Sequence, residues 1–243
     1  MKQNKRNKPF YKQFLRLRKN IQDRPKLFKF KKQKWQTMQR YSKNQLKFYR
    51  RFQIKDQFQS SISKFASRGN SFQRKFRNNL YDRKLFSLFY GGLKRKYLKK
   101  NILKSMQTKQ YVNGINDFRY KTLQTFESRL DTVLVRSKFC LSFKSAAQLI
   151  LHEHVLVNGK PIRIKSYILK PNDSIEITLN AKSRQLVKKN LDQSNFWPLP
   201  PKHLAINYRT LQILFLYTED FNLIPVFNHY LNLNSIIANI KRS

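Results

Sequence analysis

The sequence predicts an α+β fold: a small module of two helices packed on a short β-sheet, preceded by a basic helical region and a long extended arm. Three observations predict it. Leu123, Phe126, Leu130, Val133 and Leu134 recur at helical spacing, and a second helical run follows a serine placed where an N-cap belongs. Asn158-Gly159 joins two segments that read as strands, and both central residues of a type I′ turn need positive φ. The charge is unevenly divided. Met1–Thr125 carries 36 basic and 4 acidic residues, and Phe126–Ser243 carries 16 and 8, within a net charge of +40.

The module opens with the helix that carries Leu123 to Leu134 and ends near Cys140. Arg129 and Arg136 are seven residues apart, so they project from roughly one side of a continuous helix. Asp131 lies between them and reads as a salt-bridge or cap residue that orients one guanidinium, not as a catalytic acid. Ser142 caps a second helix from about Phe143 to His152, whose apolar face is Ala146, Leu149 and Ile150. Val155–Val157 forms a strand leading into the Asn-Gly turn. Ile162 and Ile164 then alternate with Arg163 and Lys165, giving one apolar and one basic face. Pro171-Asn172-Asp173 makes another turn, and Ile175 and Ile177 mark a last short strand. The order is α-α-β-turn-β-turn-β, with Val133, Leu134, Leu149, Ile150, Ile162 and Ile175 as core.

These residues resemble the RNA-binding module of the ribosomal protein S-four family of the small subunit, which also occurs in several RNA-modifying proteins. The resemblance runs through Ser128-Arg129-Leu130-Asp131, Arg136, Phe139, Ser142, Ala146, Gln148-Leu149, His154, Val157-Asn158-Gly159-Lys160, Ser166-Tyr167, Lys170-Pro171, Asp173 and Ile175. It implies that the basic face of the two helices lies on folded RNA, with contacts from Arg129, Arg136, Lys144 and Lys160. Phe143 and Ala147 stand where the family has arginines, and Lys138 and Lys144 are placed to compensate. Glu153 replaces the glycine at the helix exit, and Asn172 replaces a turn glycine.

A charge of +40 makes sense when a polyanion neutralises it, with RNA or DNA ahead of a membrane surface. One cysteine excludes an internal disulfide framework. Cys140, His152 and His154 fit no zinc spacing, so no metal and no cofactor are expected. The abundance of Lys, Asn, Phe, Tyr and Ile matches an AT-rich organellar genome. No signal peptide is expected. The first forty residues hold no serine or alanine, which favours a retained arm over a transit peptide. Phe221–Ile240 carries no charge, yet its Pro225, His229 and five asparagines argue against a membrane span.

Four segments are expected. Residues 1–75 form a basic arm interleaved with Phe10, Tyr11, Phe14, Phe28, Phe30, Trp35, Tyr41, Phe48, Tyr49 and Phe52, rings suited to stacking on unpaired bases. Residues 76–122 form a helical region and a loop. Leu80, Leu85, Leu88, Phe89 and Leu93 mark its helix, broken at Gly91-Gly92 and followed by the basic cluster Lys94-Arg95-Lys96. The string DRKLFSLFYGGLKRKYLKK resembles the helical region that precedes the module in the S-four family, and residues 105–122 read as a loop. Residues 123–178 are the module. Residues 179–243 are a C-terminal tail packing on neighbours, polar and basic over 179–193.

The expected RNA contacts are therefore Arg129, Arg136, Lys138, Lys144, Lys160, Arg163, Lys165, Lys94, Arg95 and Lys96. The resemblance implies a structural rRNA-binding protein of an organellar small ribosomal subunit, aiding assembly and shaping the side where mRNA enters, with neighbouring ribosomal proteins as partners. Its departures from the family pattern favour a mitochondrion over a plastid. An RNA-modifying enzyme using the same module needs carboxylates or phosphate-binding loops, and only 12 acids and five glycines are present. A free RNA chaperone is the third reading, distinguished by stoichiometry.

Overall fold

The computed structural model describes residues 11–22, 27, 29–40, 72–107, 118–193, 201, 203–216 and 236–237. Contacts divide the chain into two compact units, Met1–Phe89 with Phe227–Ser243, and Tyr90–Val226.

In the first unit, helices α1 (Tyr11–Leu17), α2 (33–40) and α3 (Phe72–Phe89) are described. Phe14, Leu17, Ile21, Leu27, Trp35, Met38 and the Leu85–Phe89 end of α3 supply buried apolar side chains. The Tyr81 hydroxyl donates to the Leu17 carbonyl at 2.9 Å, and the Gln22 amide donates to the Leu88 carbonyl at 2.7 Å. The expected picture of aromatics free to stack is thus corrected at Phe14 and Trp35, which are core residues here. Burying such a side chain stabilises by about 1.5–3 kcal/mol relative to leaving it exposed. Phe10, Phe28, Tyr41, Phe48, Tyr49 and Phe52 lie outside the described residues. The expected boundary at 75/76 falls inside the first turn of α3.

The second unit begins at Tyr90. Gly91 and Gly92 take φ of 78° and 81°, which ends the preceding helix, and α4 (Arg95–Gln107) follows. The expected loop at 105–122 is shorter than predicted: α4 runs to Gln107, and α5 (Phe118–Glu127) already covers 118–122. Residues 108–117 lie outside the described residues. Ser105 and Thr122 join α4 to α5 through a buried hydroxyl pair at 2.7 Å.

The first module helix is not continuous. It divides into α5 and α6 (Leu130–Arg136), and Arg129 between them is extended at φ −74° and ψ 137°. No side chain caps α6. Its first free N–H groups are instead met by a neighbouring segment: Leu130 N–H donates to the Tyr167 carbonyl (2.9 Å) and Asp131 N–H to the Lys165 carbonyl (3.2 Å). Leu169 N–H donates to the Ser128 carbonyl at 2.8 Å. The backbone of 165–169 is therefore occupied by helix ends, and the strand expected through Ile162–Lys165 does not form. β2 is only Lys160–Pro161. Ile162 is half-buried against the core, and Ile164 is 63% exposed.

The second module helix, α7 (Phe143–Leu151), starts where expected, with the Ser142 hydroxyl accepting from Ser145 N–H at 3.1 Å. It exits through Glu153 at φ 59°, a position that favours glycine. β1 (Val155–Val157) turns through Asn158 (φ 51°) and Gly159 (φ 76°) into β2, as the Asn-Gly pair predicts. Asn172 takes φ 65° in the next turn, ahead of β3 (Ser174–Ile177).

The sheet continues past residue 178. α8 (Ala181–Gln193) occupies the segment read only as polar and basic, and Asn190 donates to the Phe139 carbonyl at 2.9 Å. A hairpin of β4 (Leu204–Asn207) and β5 (Gln212–Phe215) then completes a five-stranded antiparallel sheet in the order β2-β1-β3-β5-β4. Ile175 pairs with Ile213, so both face the core with Val155, Val157, Ile177, Phe215 and Leu204. α6, α7 and Val187 of α8 cover this face. No helix among the described residues is long and apolar enough to cross a membrane.

Gly91 is the tightest point of this packing. A Cβ there would meet the Phe143 ring at 2.7 Å, and its φ of 78° disfavours any side chain. Gly91→Ala should lower unfolding free energy by about 2–4 kcal/mol, combining left-handed strain with overpacking. In a Phe143→Leu background the same change should cost less, as read by denaturant titration of both pairs.

Candidate nucleic-acid interface

The expected cations fall into two groups. Arg129 is buried and Arg136 is half-buried in an ion pair, whereas the others, apart from half-buried Lys138, are exposed.

Arg129 is 3% exposed. Its Nε donates to Asp131 Oδ1 at 2.9 Å and its Nη2 to Asp131 Oδ2 at 2.6 Å, a bidentate pair. The guanidinium also lies over the Tyr97 ring of α4, 5.1 Å from its centroid. Burial opposes its charge, and the hydrogen bonds and charge of Asp131 more than offset that, raising the pKa. The expectation that Asp131 orients a guanidinium holds for Arg129. The expectation that Arg129 and Arg136 project from roughly one side of one helix does not, because Arg129 sits at the helix break with its side chain buried.

Arg136, at the end of α6, is half-buried and pairs with Glu127 through Nε and Nη2, each at 3.1 Å. Glu127 is 4% exposed and also accepts the Tyr90 hydroxyl at 2.8 Å. Burial, then the Glu127 charge, pushes the Tyr90 phenol well above its ordinary value, so it stays a donor.

The remaining cations are presented outward. Lys144 is exposed in the first turn of α7, and half-buried Lys138 takes φ 66° in the corner between α6 and α7. Lys160 follows the Asn-Gly turn, and Lys165 is exposed beside the start of α6. Arg163 is 71% exposed and paired with Glu153, a contact that contributes little because water screens it. Lys94, Arg95 and Lys96 are exposed at the start of α4. Asn158 ties the hairpin tip to the next turn: its amide donates to Asp173 Oδ1 at 2.8 Å, and its Oδ1 accepts Ser174 N–H at 2.9 Å. Lys160 is thereby held on a braced turn.

Cys140 lies in the core, where burial pushes its thiol up to about 12, and the His152 and His154 rings stack at 6.1 Å. No cluster of three or more metal-ligating side chains occurs among the described residues.

Sequence reasoning missed Tyr97, Tyr90 and Glu127. A signal for Glu127 existed: in a chain with 52 cations and 12 acids, an acid beside an arginine-bearing helix is a candidate anchor. Nothing in the spacing of Tyr97 points to Arg129, because the two residues, 32 apart in the sequence, meet only in the folded unit.

Two helices on a small sheet, with a buried arginine–aspartate pair and exposed lysines around it, define an S4-type module. Residues 128–175 match the S4 domain. The chain is 32% identical over 150 residues to the small ribosomal subunit protein uS4m of Marchantia polymorpha, covering 61% of this chain and 72% of that protein. It is 35% identical over 113 residues to uS4 of Aquifex aeolicus, covering 46% of this chain and 51% of that protein. It is 42% identical over 85 residues to uS4c of Morus indica, covering 35% and 42%. The chain belongs to the uS4 family of small ribosomal subunit proteins. It spans about half the length of the Aquifex relative.

Asp131→Asn should destabilise the protein by about 3–5 kcal/mol, because it leaves the Arg129 charge buried without its partner. Arg129→Met with Asp131→Leu should cost less than Asp131→Asn alone, read as denaturation midpoints. Charge reversal at Arg129 accordingly tests folding, not RNA contact.

Proposed function

We propose that this chain is a structural rRNA-binding protein of the mitochondrial small ribosomal subunit. It assists assembly, sits on the side where mRNA enters, and has neighbouring ribosomal proteins as partners. The observation that carries the reading is the match to uS4m over 72% of that protein, on a module whose lysines face outward. Lys144, Lys160 and Lys165 contact phosphates, Lys94, Arg95 and Lys96 extend the cationic surface, and Arg136 and Lys138 line the α6–α7 corner. Phosphate contacts position the protein, and folded RNA shape supplies the selectivity.

The mechanism is binding, not chemistry. A buried bidentate anchor at Arg129 holds the helix start rigid, so the exposed lysines on α7 and on the hairpin keep a constant separation. A preorganised surface loses less side-chain freedom on binding. The charge of +40 is neutralised by the rRNA, which favours the assembled particle over the free chain.

Lys144→Gln, Lys160→Gln and Lys165→Gln together should weaken rRNA binding and reduce the slope of log affinity against log salt by about 2–3. The thermal midpoint of the free chain should not change, because all three are exposed. An unchanged salt slope removes these lysines from the contact surface. RNA crosslinking in intact organelles, with the RNA sequenced, tests the function itself. The expected result is one small-subunit rRNA junction in mitochondrial particles, at one protein per subunit. Crosslinks scattered over tRNAs or transcripts would favour the modifying enzyme or the chaperone, and recovery from plastid particles would move the compartment.

A further inference from the structure

The first unit holds a second cationic site, unrelated in residues to the module. Lys29, Phe30, Lys31, Lys32, Lys34 and Trp35 line an open concavity of about 470 Å³. This lies within the range of small-ligand sites, about 300–1,000 Å³. All four lysines are exposed, and no acidic side chain lines the concavity among the described residues. Four like charges lining one concavity favour the entry of an anion.

The floor is aromatic and braced. Phe30 is half-buried, with Trp35 behind it at 4.8 Å between centroids and Tyr11 edge-on at 5.4 Å. Trp35 itself is 8% exposed, so Phe30 is the ring that an incoming group meets. One backbone and two side-chain hydrogen bonds hold the lysine-bearing loop to α2. Trp35 N–H donates to the Lys32 carbonyl at 2.9 Å, and the Gln36 amide donates to the Lys31 carbonyl at 3.1 Å. The Gln39 amide reaches the Leu27 carbonyl at 2.9 Å. A rigid ring ringed by lysines has the chemistry of a base-stacking platform with phosphate clamps.

We propose that this concavity binds an unpaired nucleotide of single-stranded RNA, the base stacked on Phe30 and the flanking phosphates held by the lysines. The proposal rests on the RNA-binding reading above and adds a site to it. Duplex RNA is a poor occupant, because its bases are already stacked inside the helix and offer no free face.

The test uses the full chain with Trp197→Phe, which leaves Trp35 as its one tryptophan. The probes are a ten-nucleotide oligouridylate and a ten-base-pair RNA duplex. Oligouridylate should quench Trp35 fluorescence, and Phe30→Leu should weaken that binding by roughly 5–100-fold while leaving duplex affinity unchanged. Equal affinity of Phe30→Leu for oligouridylate, or equal losses for both RNAs, overturns the stacking site while leaving the module reading intact. A parent chain that binds neither RNA overturns both. Should Phe30→Leu alter the Trp35 spectrum of the free chain, Lys31→Gln with Lys34→Gln decides instead. The oligouridylate salt slope should fall by about 1.4, and an unchanged slope overturns the site.

Discussion

The Arg129–Asp131 pair is the constraint from which the rest of the module follows. Two charges are taken out of water within a two-residue span, and their desolvation is large. The bidentate geometry, at 2.9 and 2.6 Å, and the Tyr97 face offset that cost. The pair forms only if Arg129 leaves the helix, so α5 stops and α6 restarts at Leu130. The restart exposes fresh N–H groups, which recruit the 165–167 carbonyls. That in turn draws Leu169 into the core and fixes how the β-hairpin leads on to β3. One ion pair thus ties α4, α6 and the link between β2 and β3 together.

Acid is scarce in this chain, and its placement explains how so basic a protein keeps a fold. Asp131 holds Arg129, and Glu127 holds Arg136 and Tyr90. Asp173 accepts the Asn158 amide and Lys170 N–H, closing the turn that the β3–β5 ladder continues. Glu176 accepts the Gln212 amide across strands at 3.0 Å. These acids act as acceptors within the fold, and with 12 acids to 52 Lys and Arg the chain keeps a large positive excess. The surplus of positive charge among the described residues lies mostly on exposed side chains.

Much of this was legible one residue at a time. Ser142 caps its helix, Asn158 and Gly159 take positive φ, and Gly91-Gly92 breaks the helical region, because each depends on backbone chemistry within a few residues. α8 was not legible: its apolar positions are sparse, with Val187 buried and Leu186 43% exposed, so no stripe stands out. It is a helix whose buried side forms only against Phe139 and the sheet. The β4–β5 hairpin was equally hidden, since its turn uses Leu211 at φ 60°, a residue that no turn rule selects. Ile162 and Ile164 alternate like a strand, yet their neighbours' carbonyls serve α6.

Composition and local pattern alone determined the α+β class, the second module helix, the turns and the cationic character, because propensity, caps and net charge are properties of short stretches. The tertiary structure decided which cations are available to a partner. Arg129 and Lys144 look alike in the sequence, yet one is buried against an aspartate and a tyrosine and the other is exposed on α7. The burial of Arg129 depends on an element distant along the chain, Tyr97 of α4, which the spacing of residues around Arg129 does not show.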